Sequence, residues 1–277
     1  MTAPLLQIDR ATVLAGGRAI LKDADLEVRA GEVTALIGRN GSGKSTLIRL
    51  AAGIRRPDRG RALCGGEAIH RIPPRRFARL VAHLPQTLPP APGMTVRELA
   101  AFGRYPHHGA LGRRSAEDAA AIARALSGTG LDALADREVD GLSGGERQRA
   151  WLAMALAQEA SVLLLDEPTA ALDVAHQVEV LTLVRSLARD RSLARDRGLA
   201  RDRELARDRG LAVVMVLHDV DMAARFADRI VALDAGRIVA SGGACDILQP
   251  EMLRRIYGLE LGVMPHPVSG RPMSYLP

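Results

Sequence analysis

Gly38-Arg39-Asn40-Gly41-Ser42-Gly43-Lys44-Ser45, with Thr46 behind it, is the stretch on which the reading of this chain turns. It matches Gly-x-x-x-x-Gly-Lys-Ser/Thr at every position. Val33-Thr34-Ala35-Leu36-Ile37 ahead of it is a short apolar run suited to a buried strand. Ser45 to Ala52 behind it opens a helix closed by Gly53. A strand, a glycine turn and a helix N-terminus in that order aim consecutive backbone N–H groups at phosphate. Glycine at 38, 41 and 43 lets the backbone come close, because a Cβ there would meet the phosphate or forbid the turn. Lys44 then reaches the β- and γ-phosphates of a nucleotide, and the Ser45 hydroxyl ligates Mg2+.

Further along, the apolar run Val162-Leu163-Leu164-Leu165 delivers Asp166-Glu167-Pro168 at its carboxyl end. Two adjacent carboxylates after a buried strand are costly without a positive partner, and Mg2+-nucleotide supplies one. Asp166 fits the acid that holds the metal. Glu167, one residue on, is placed to polarise the water that attacks the γ-phosphate. Leu142-Ser143-Gly144-Gly145-Glu146-Arg147-Gln148-Arg149 is a second phosphate-type turn at a helix start. One nucleotide does not need two such nests from the same chain, so the economical reading gives this one to nucleotide bound by another subunit.

Composition sets the bounds. The chain has 277 residues, 47% apolar and 25% charged, ordinary for a globular protein with a sizeable core. No apolar run approaches the ~18 residues of a membrane span, and Met1 to Arg10 lacks the pattern of a secretory signal. Cys64 and Cys245 have no metal or redox spacing, which points to a reducing, cytosolic compartment. The net charge of +6 invites a nucleic-acid or membrane reading, but half of it sits in one tract, Ser186 to Arg209. That tract repeats Leu-Ala-Arg-Asp-Arg at a period of six, so successive leucines do not share a helical face and no continuous apolar stripe forms. It reads as a tolerated expansion rather than a basic arm.

Strands alternate with helices along the rest, which implies an α/β fold with a mostly parallel doubly wound sheet and ligands at the carboxyl ends of the strands. Short strands around Ala15-Gly16-Gly17-Arg18 and a hairpin turned at Gly65-Gly66 form an antiparallel β subdomain. Residues 1–86 and 142–277 make the core of one domain, with 87–141 a helical insertion. Within the insertion Thr95 and Ser115 cap helices, Tyr105 to Gly109 breaks the first, and Leu131 to Ala135 is expected to be a third. His107 and His108 are expected on a loop surface.

The order of these motifs resembles the ATP-binding-cassette (ABC) ATPases, P-loop NTPases of membrane transporters, over about Leu5 to Gly242. Leu142 to Arg149, one helix ahead of Leu163 to Thr169, is similar to that family's signature and acid motifs. The resemblance implies a lid glutamine at Gln86, which senses Mg2+ and water, and a loop at Ala171-Leu172-Asp173 that speaks across a dimer. It implies a switch histidine at His218 that contacts γ-phosphate. It also implies a head-to-tail homodimer enclosing two ATP. Each site takes Gly38 to Thr46, Gln86, Asp166, Glu167 and His218 from one chain and Ser143, Gly144 and Gly145 from the other. The metal set is Ser45, Gln86 and Asp166. An aromatic that stacks on adenine in the family is replaced here by Val13-Leu14-Ala15.

A single cassette without coiled coils or zinc insertions resembles transporter subunits rather than cassette ATPases of ribosomes or nucleic acid. Such a subunit docks on two membrane-spanning permease subunits, or one fused permease, at the cytoplasmic face of the bacterial inner membrane, fed indirectly by a periplasmic binding protein. Gly103-Arg104-Tyr105-Pro106-His107 resembles importers of chelated iron, haem and cobalamin. Leu88 to Leu99, Gly109 to Arg113, Gly145 to Trp151 and the tail Ile256-Tyr257-Gly258 with Pro265-His266-Pro267 are similar to the ferric hydroxamate (ferrichrome-type) siderophore ATPases.

Overall fold

The computed structural model describes residues 3–108, 115–170, 172–189 and 210–277. Ala171, the segment 109–114 and residues 190–209 of the repeat lie outside the described residues. The chain forms two compact units, Met1–Arg71 with Ala212–Pro277, and Ile72–Leu211.

The first unit opens with β1 (Leu6–Ala15) and β2 (Arg18–Val28), an antiparallel pair turned at Gly16 and Gly17. Both glycines have positive φ, as this kind of hairpin turn requires. After β3 (Val33–Ile37) and α1 (Lys44–Ala51), β4 (Arg59–Cys64) and β5 (Glu67–Ala68) complete a four-stranded antiparallel sheet in the order β2-β1-β4-β5. The expected β subdomain is therefore present, with longer strands than the sequence suggested.

The chain then builds the second unit from α2 (Pro74–Leu80), β6 (Val81–Leu84), α3 (Val96–Phe102), α4 (Tyr105–His108), α5 (Ala116–Gly128), α6 (Gly144–Ala157), β7 (Val162–Leu165) and α7 (Val174–Arg189). Strands β6 and β7 pair in parallel, Val81 opposite Val162 and Leu84 opposite Leu165. Thr95, Ser115 and Ser143 each close a reciprocal capping box at a helix start, with Glu98, Asp118 and Glu146. The last four residues of α7, Ser186 to Arg189, are the first of the repeat, and Leu187 and Ala188 among them are buried.

On its return to the first unit the chain adds β8 (Ala212–Val216), α8 (Val220–Phe226), β9 (Arg229–Asp234), β10 (Arg237–Gly242), α9 (Ala244–Ile247), α10 (Pro250–Tyr257), β11 (Gly262–Pro265) and β12 (Pro272–Tyr275). Strand β3 lies between β8 and β9, parallel to both, with Leu36 opposite Val216 and Val231; β10 folds back antiparallel on β9. All five residues of β3 and of β8 are buried, the pattern of strands covered on both faces.

Two expectations fail here for local reasons. Leu131 to Ala135 holds only a 3-10 turn, Asp132–Leu134. Its flanks are engaged elsewhere, because Ala135 and Arg137 offer their carbonyls to the amides of Arg97 and Val96 and so tie the segment to the start of α3. Tyr105–His108 is a helix, not a loop. Arg75 and Arg79 donate to the carbonyls of Pro106 and His107 at 2.7–3.2 Å and so hold its last turn. His107 is half-buried with Nε2 3.0 Å from the Gln158 carbonyl, and that burial pushes its pKa down.

Arg104, buried between α3 and α4, ties this unit together. Its guanidinium donates to Asp118 at 2.8 Å, to Glu159 at 2.6 Å and to the Ala157 carbonyl at 2.8 Å. Burial alone would push Asp118 up, but the Ser115 amide, the Arg104 guanidinium and the Ser115 hydroxyl together hold it down at about 2. A carboxyl depressed in the folded state contributes stability that is full above its ordinary value of 3.8 and is lost as pH falls through about 2. Arg104→Ala leaves the buried Asp118 without its cation, while Glu159 keeps Arg124 at 2.7 Å, and is expected to cost about 3–5 kcal/mol, a fall of about 10 °C in Tm. Thermal melts of the variant at pH 7 and pH 3 check this, since the penalty shrinks once Asp118 takes up a proton.

Candidate active site

In the first unit the glycine loop leaves β3 at Gly38, with φ 139°. A Cβ there would collide with the carbonyl oxygen of Leu233 and come within 2.9 Å of Ser42 Oγ. Gly43, at φ 105°, begins α1, and a Cβ on it would sit 3.1 Å from the Ile20 carbonyl. The loop is propped from behind. The Gly236 amide donates to the Ser42 carbonyl at 3.1 Å, and the Gly236 carbonyl accepts from Lys22 at 2.7 Å. Lys44 is buried, and its ammonium donates to the carbonyls of Gly38 and Arg39 at 2.8 and 3.0 Å, so its charge lies within the loop.

This cradle fits a polyphosphate. Helix α1 starts with no side-chain cap and no acidic residue in its first turn, so its dipole and leading N–H groups favour an anion. The Ser42 hydroxyl is buried without a hydrogen-bond partner. Arg39, Asn40 and Gly41 form the exposed rim, and Ser45 and Thr46 are half-buried on the first turn of the helix.

On the neighbouring strand, Leu217 donates to Leu36 at 3.0 Å, which sets the exit of β8 beside that of β3. His218 follows, exposed, and Asp219 caps α8 by accepting from the amides of Asp221 and Met222. The phosphate loop and His218 thus leave adjacent parallel strands at their carboxyl ends. Of Val13-Leu14-Ala15, which stand where the family has its adenine-stacking aromatic, Val13 is fully buried while Leu14 and Ala15 are exposed.

In the second unit β7 hands over to Asp166, which is buried and whose amide donates to Leu84 at 3.0 Å. Glu167 takes a left-handed backbone, φ 53°, which costs a non-glycine residue about 1–3 kcal/mol. Gln86 Nε2 donates to Glu167 Oε2 at 2.5 Å, so the amide fixes the carboxylate's orientation from the adjacent strand end. The structure therefore brings Gln86 to Glu167, beside Asp166.

The second glycine turn is also built within this unit. Ser143 Oγ accepts from the Glu146 amide, and Glu146 Oε2 accepts from the Ser143 amide at 2.8 Å. That Ser143 amide bond is the main cause of the lowered Glu146 pKa. Asp173 accepts from His176 twice, at the amide (2.9 Å) and at Nδ1 (2.7 Å), and these bonds, the amide first, hold its carboxyl below the ordinary range. The His176 ring lies against Gly145, where a Cβ would come within 2.5 Å of Cδ2. Sequence reasoning missed His176. The available signal was its place three residues after Asp173, one helical turn on. Among the described residues no cluster of three or more His, Cys, Asp or Glu could hold a metal, and no helix is long and apolar enough to cross a membrane.

Residues 21–170 match the family model described as ABC transporter. The chain is 39% identical to the iron(3+)-hydroxamate import ATP-binding protein of Bacillus subtilis (strain 168), across 93% of this chain and 89% of that protein. It is 39% identical to the ferric enterobactin transport ATP-binding protein of Escherichia coli (strain K12), across 97% and 92%. It is 41% identical to the hemin import ATP-binding protein of Burkholderia pseudomallei (strain 1710b), across 93% and 94%. Among solved structures, a transporter described as of the metal-chelate type, in an inward-facing conformation, aligns with a TM-score of 0.80 at 25% identity over 99% of this chain and 96% of that one.

Proposed function

This chain belongs to the ABC transporter family, and on that premise we propose that it is the ATP-hydrolysing subunit of a bacterial importer, driving uptake of an iron chelate of the ferric hydroxamate type. The observation that carries the hydrolytic part is the Gln86–Glu167 hydrogen bond, made against a strained backbone at the end of a buried strand. It supports the reading of Glu167, oriented by a neutral donor, as the carboxylate that polarises the nucleophilic water.

The residues divide the work by chemistry. Backbone N–H groups of Gly38 to Thr46 and the Lys44 ammonium bind the phosphates of ATP. The Ser42 hydroxyl donates to a phosphate oxygen, which gives this buried group its partner. Mg2+ takes hard oxygen donors, here the Ser45 hydroxyl, the Gln86 amide oxygen and the Asp166 carboxylate, and when bound it neutralises charge on the β- and γ-phosphates. Glu167 accepts a hydrogen bond from the attacking water, and His218 touches the γ-phosphate. Ser143, Gly144 and Gly145 close the site of a second copy, and Asp173 lines the same dimer junction. The closed homodimer moves two permease subunits, or one fused permease, through the helical segment 87–141, since ATP is gripped by both chains only when closed. The chain works at the cytoplasmic face of the inner membrane, serves a periplasmic binding protein indirectly and requires no nucleic acid.

The cargo reading is supported by the hydroxamate and enterobactin importers among its relatives. The 41% identity to a hemin import protein favours haem as the second reading. A deletion strain supplied with ferrichrome or haem as sole iron source separates them. Growth is expected to fail on ferrichrome and recover with the intact gene. Failure on haem alone moves the cargo to haem, and normal growth on both removes the iron-import reading.

A further inference from the structure

Residues 250–277 have no part in the roles above, yet they touch the surroundings of both phosphate-facing elements of the first unit. Helix α10 ends at Gly258 in a left-handed turn, φ 72°, and a Cβ there would lie 3.5 Å from Nη1 of Arg39 in the phosphate loop. Beyond it, the β11–β12 hairpin runs along α8. The Asp221 carboxylate, in the first turn of α8, accepts from the Ser274 amide at 2.7 Å and the Ser274 hydroxyl at 2.9 Å. At the other end, Arg271 Nη1 donates to the carbonyls of Arg225 at 2.8 Å and Ala224 at 3.4 Å. One hairpin therefore holds both ends of one helix.

The hairpin's own register is fixed, so these two side chains cannot drift. His266 exchanges backbone bonds with Gly270 and Arg271 at 2.8 and 2.7 Å, and its Nδ1 accepts from the amides of Val268 and Ser269 at 3.2 Å. Gly262 stands opposite Tyr275, whose ring occupies the space of a Cβ. Helix α8 needs such support. It has seven residues, too few to be stable alone in water. Its cap, Asp219, is the residue after His218. Any tilt of α8 is therefore transmitted to His218 through one peptide unit. Tyr257 adds a third element, with its hydroxyl buried and without a hydrogen-bond partner. Burial, then the carboxylates of Asp219 and Asp221, push the Tyr257 pKa up.

We propose that the C-terminal hairpin is a brace that aims His218, with Arg271 and Ser274 as positioning residues for ATP hydrolysis. This rests on the reading of His218 as a group at the γ-phosphate. The brace holds α8 in the orientation that presents the imidazole. Loosening it lets the helix sample tilts in which the ring misses its target, while the loop that binds ATP is untouched.

The test is single-turnover ATP hydrolysis by the full-length chain assembled with its permease, for Arg271→Ala and Ser274→Ala and for each in a His218→Ala background. Each variant alone is expected to hydrolyse about tenfold more slowly. ATP affinity, measured in a Glu167→Gln background, is expected to stay within twofold, and Ser274→Thr, which keeps the hydroxyl, to regain the rate. In the His218→Ala background Arg271→Ala is expected to slow hydrolysis no further, because both changes remove the same contribution. Equal slowing in both backgrounds would mean that the hairpin supports the fold generally and overturns the proposal. So would a wild-type rate for Arg271→Ala beside a slow His218→Ala. A wild-type rate for His218→Ala itself overturns instead the reading of His218 on which the brace depends.

Discussion

Glu167→Gln is expected to lower ATP turnover by about 10²–10⁴-fold while ATP stays bound. The substitution exchanges one carboxylate oxygen for an amide nitrogen and changes little else. The side chain keeps its size, and the left-handed backbone at φ 53° is as accessible to Gln as to Glu. What is lost is the anion that polarises water. The Gln86 amide, now facing a neutral side chain, also loses the charge-assisted bond that it makes at 2.5 Å. Nothing in Gly38 to Thr46 changes, so the phosphates remain held and the closed dimer should accumulate. Size-exclusion chromatography with ATP and Mg2+ reads the trapped dimer, and phosphate release reads the turnover. Normal phosphate release would remove Glu167 from its role.

Ser143→Arg is expected to abolish hydrolysis, by more than about 100-fold, while each monomer binds ATP within twofold of the wild type. Ser143 caps α6, and the substitution alters none of the N–H groups or side chains of Gly38 to Thr46. The Arg side chain puts bulk and charge at the turn that is proposed to meet the partner's γ-phosphate. Loss of the Ser143 cap costs about 0.5–2 kcal/mol, which a melting curve registers separately from the loss of activity. An active Ser143→Arg enzyme would end the shared-site reading, because that reading gives this turn to the other chain's nucleotide.

The parts of the site that are contiguous in sequence could be read without coordinates. Gly38 to Thr46, Asp166-Glu167 and Ser143 to Gly145 each fall where a buried strand ends or a capped helix begins, so local pattern and local structure agree. The bonds between motifs could not be read. Gln86 and Glu167 meet because β6 and β7 pair in parallel, and no local pattern specifies which strands pair. Strands β1 and β2 looked short because Arg10 and Asp23 take positive φ and the register shifts around them, which interrupts the alternation of buried and exposed residues. His107 looked like loop surface because its helix is held by Arg75 and Arg79, more than 25 residues earlier. The terminal hairpin was invisible for another reason. Pro265, Pro267, Gly270 and Pro272 read as loop, and only the bonds around His266 turn them into a fixed turn.

The position of β3 between β8 and β9 has a consequence for how this enzyme is made. Its phosphate loop is translated well before both neighbours of the strand that carries it and before Gly236, which props Ser42 from behind. A growing chain therefore displays a strand with both edges bare until β8 and β9 follow, an invitation to mispairing. The cradle gains its flanking strands and its prop only when these later segments fold back onto β3, so the pairing that hides the strand edges also completes the support of the phosphate loop.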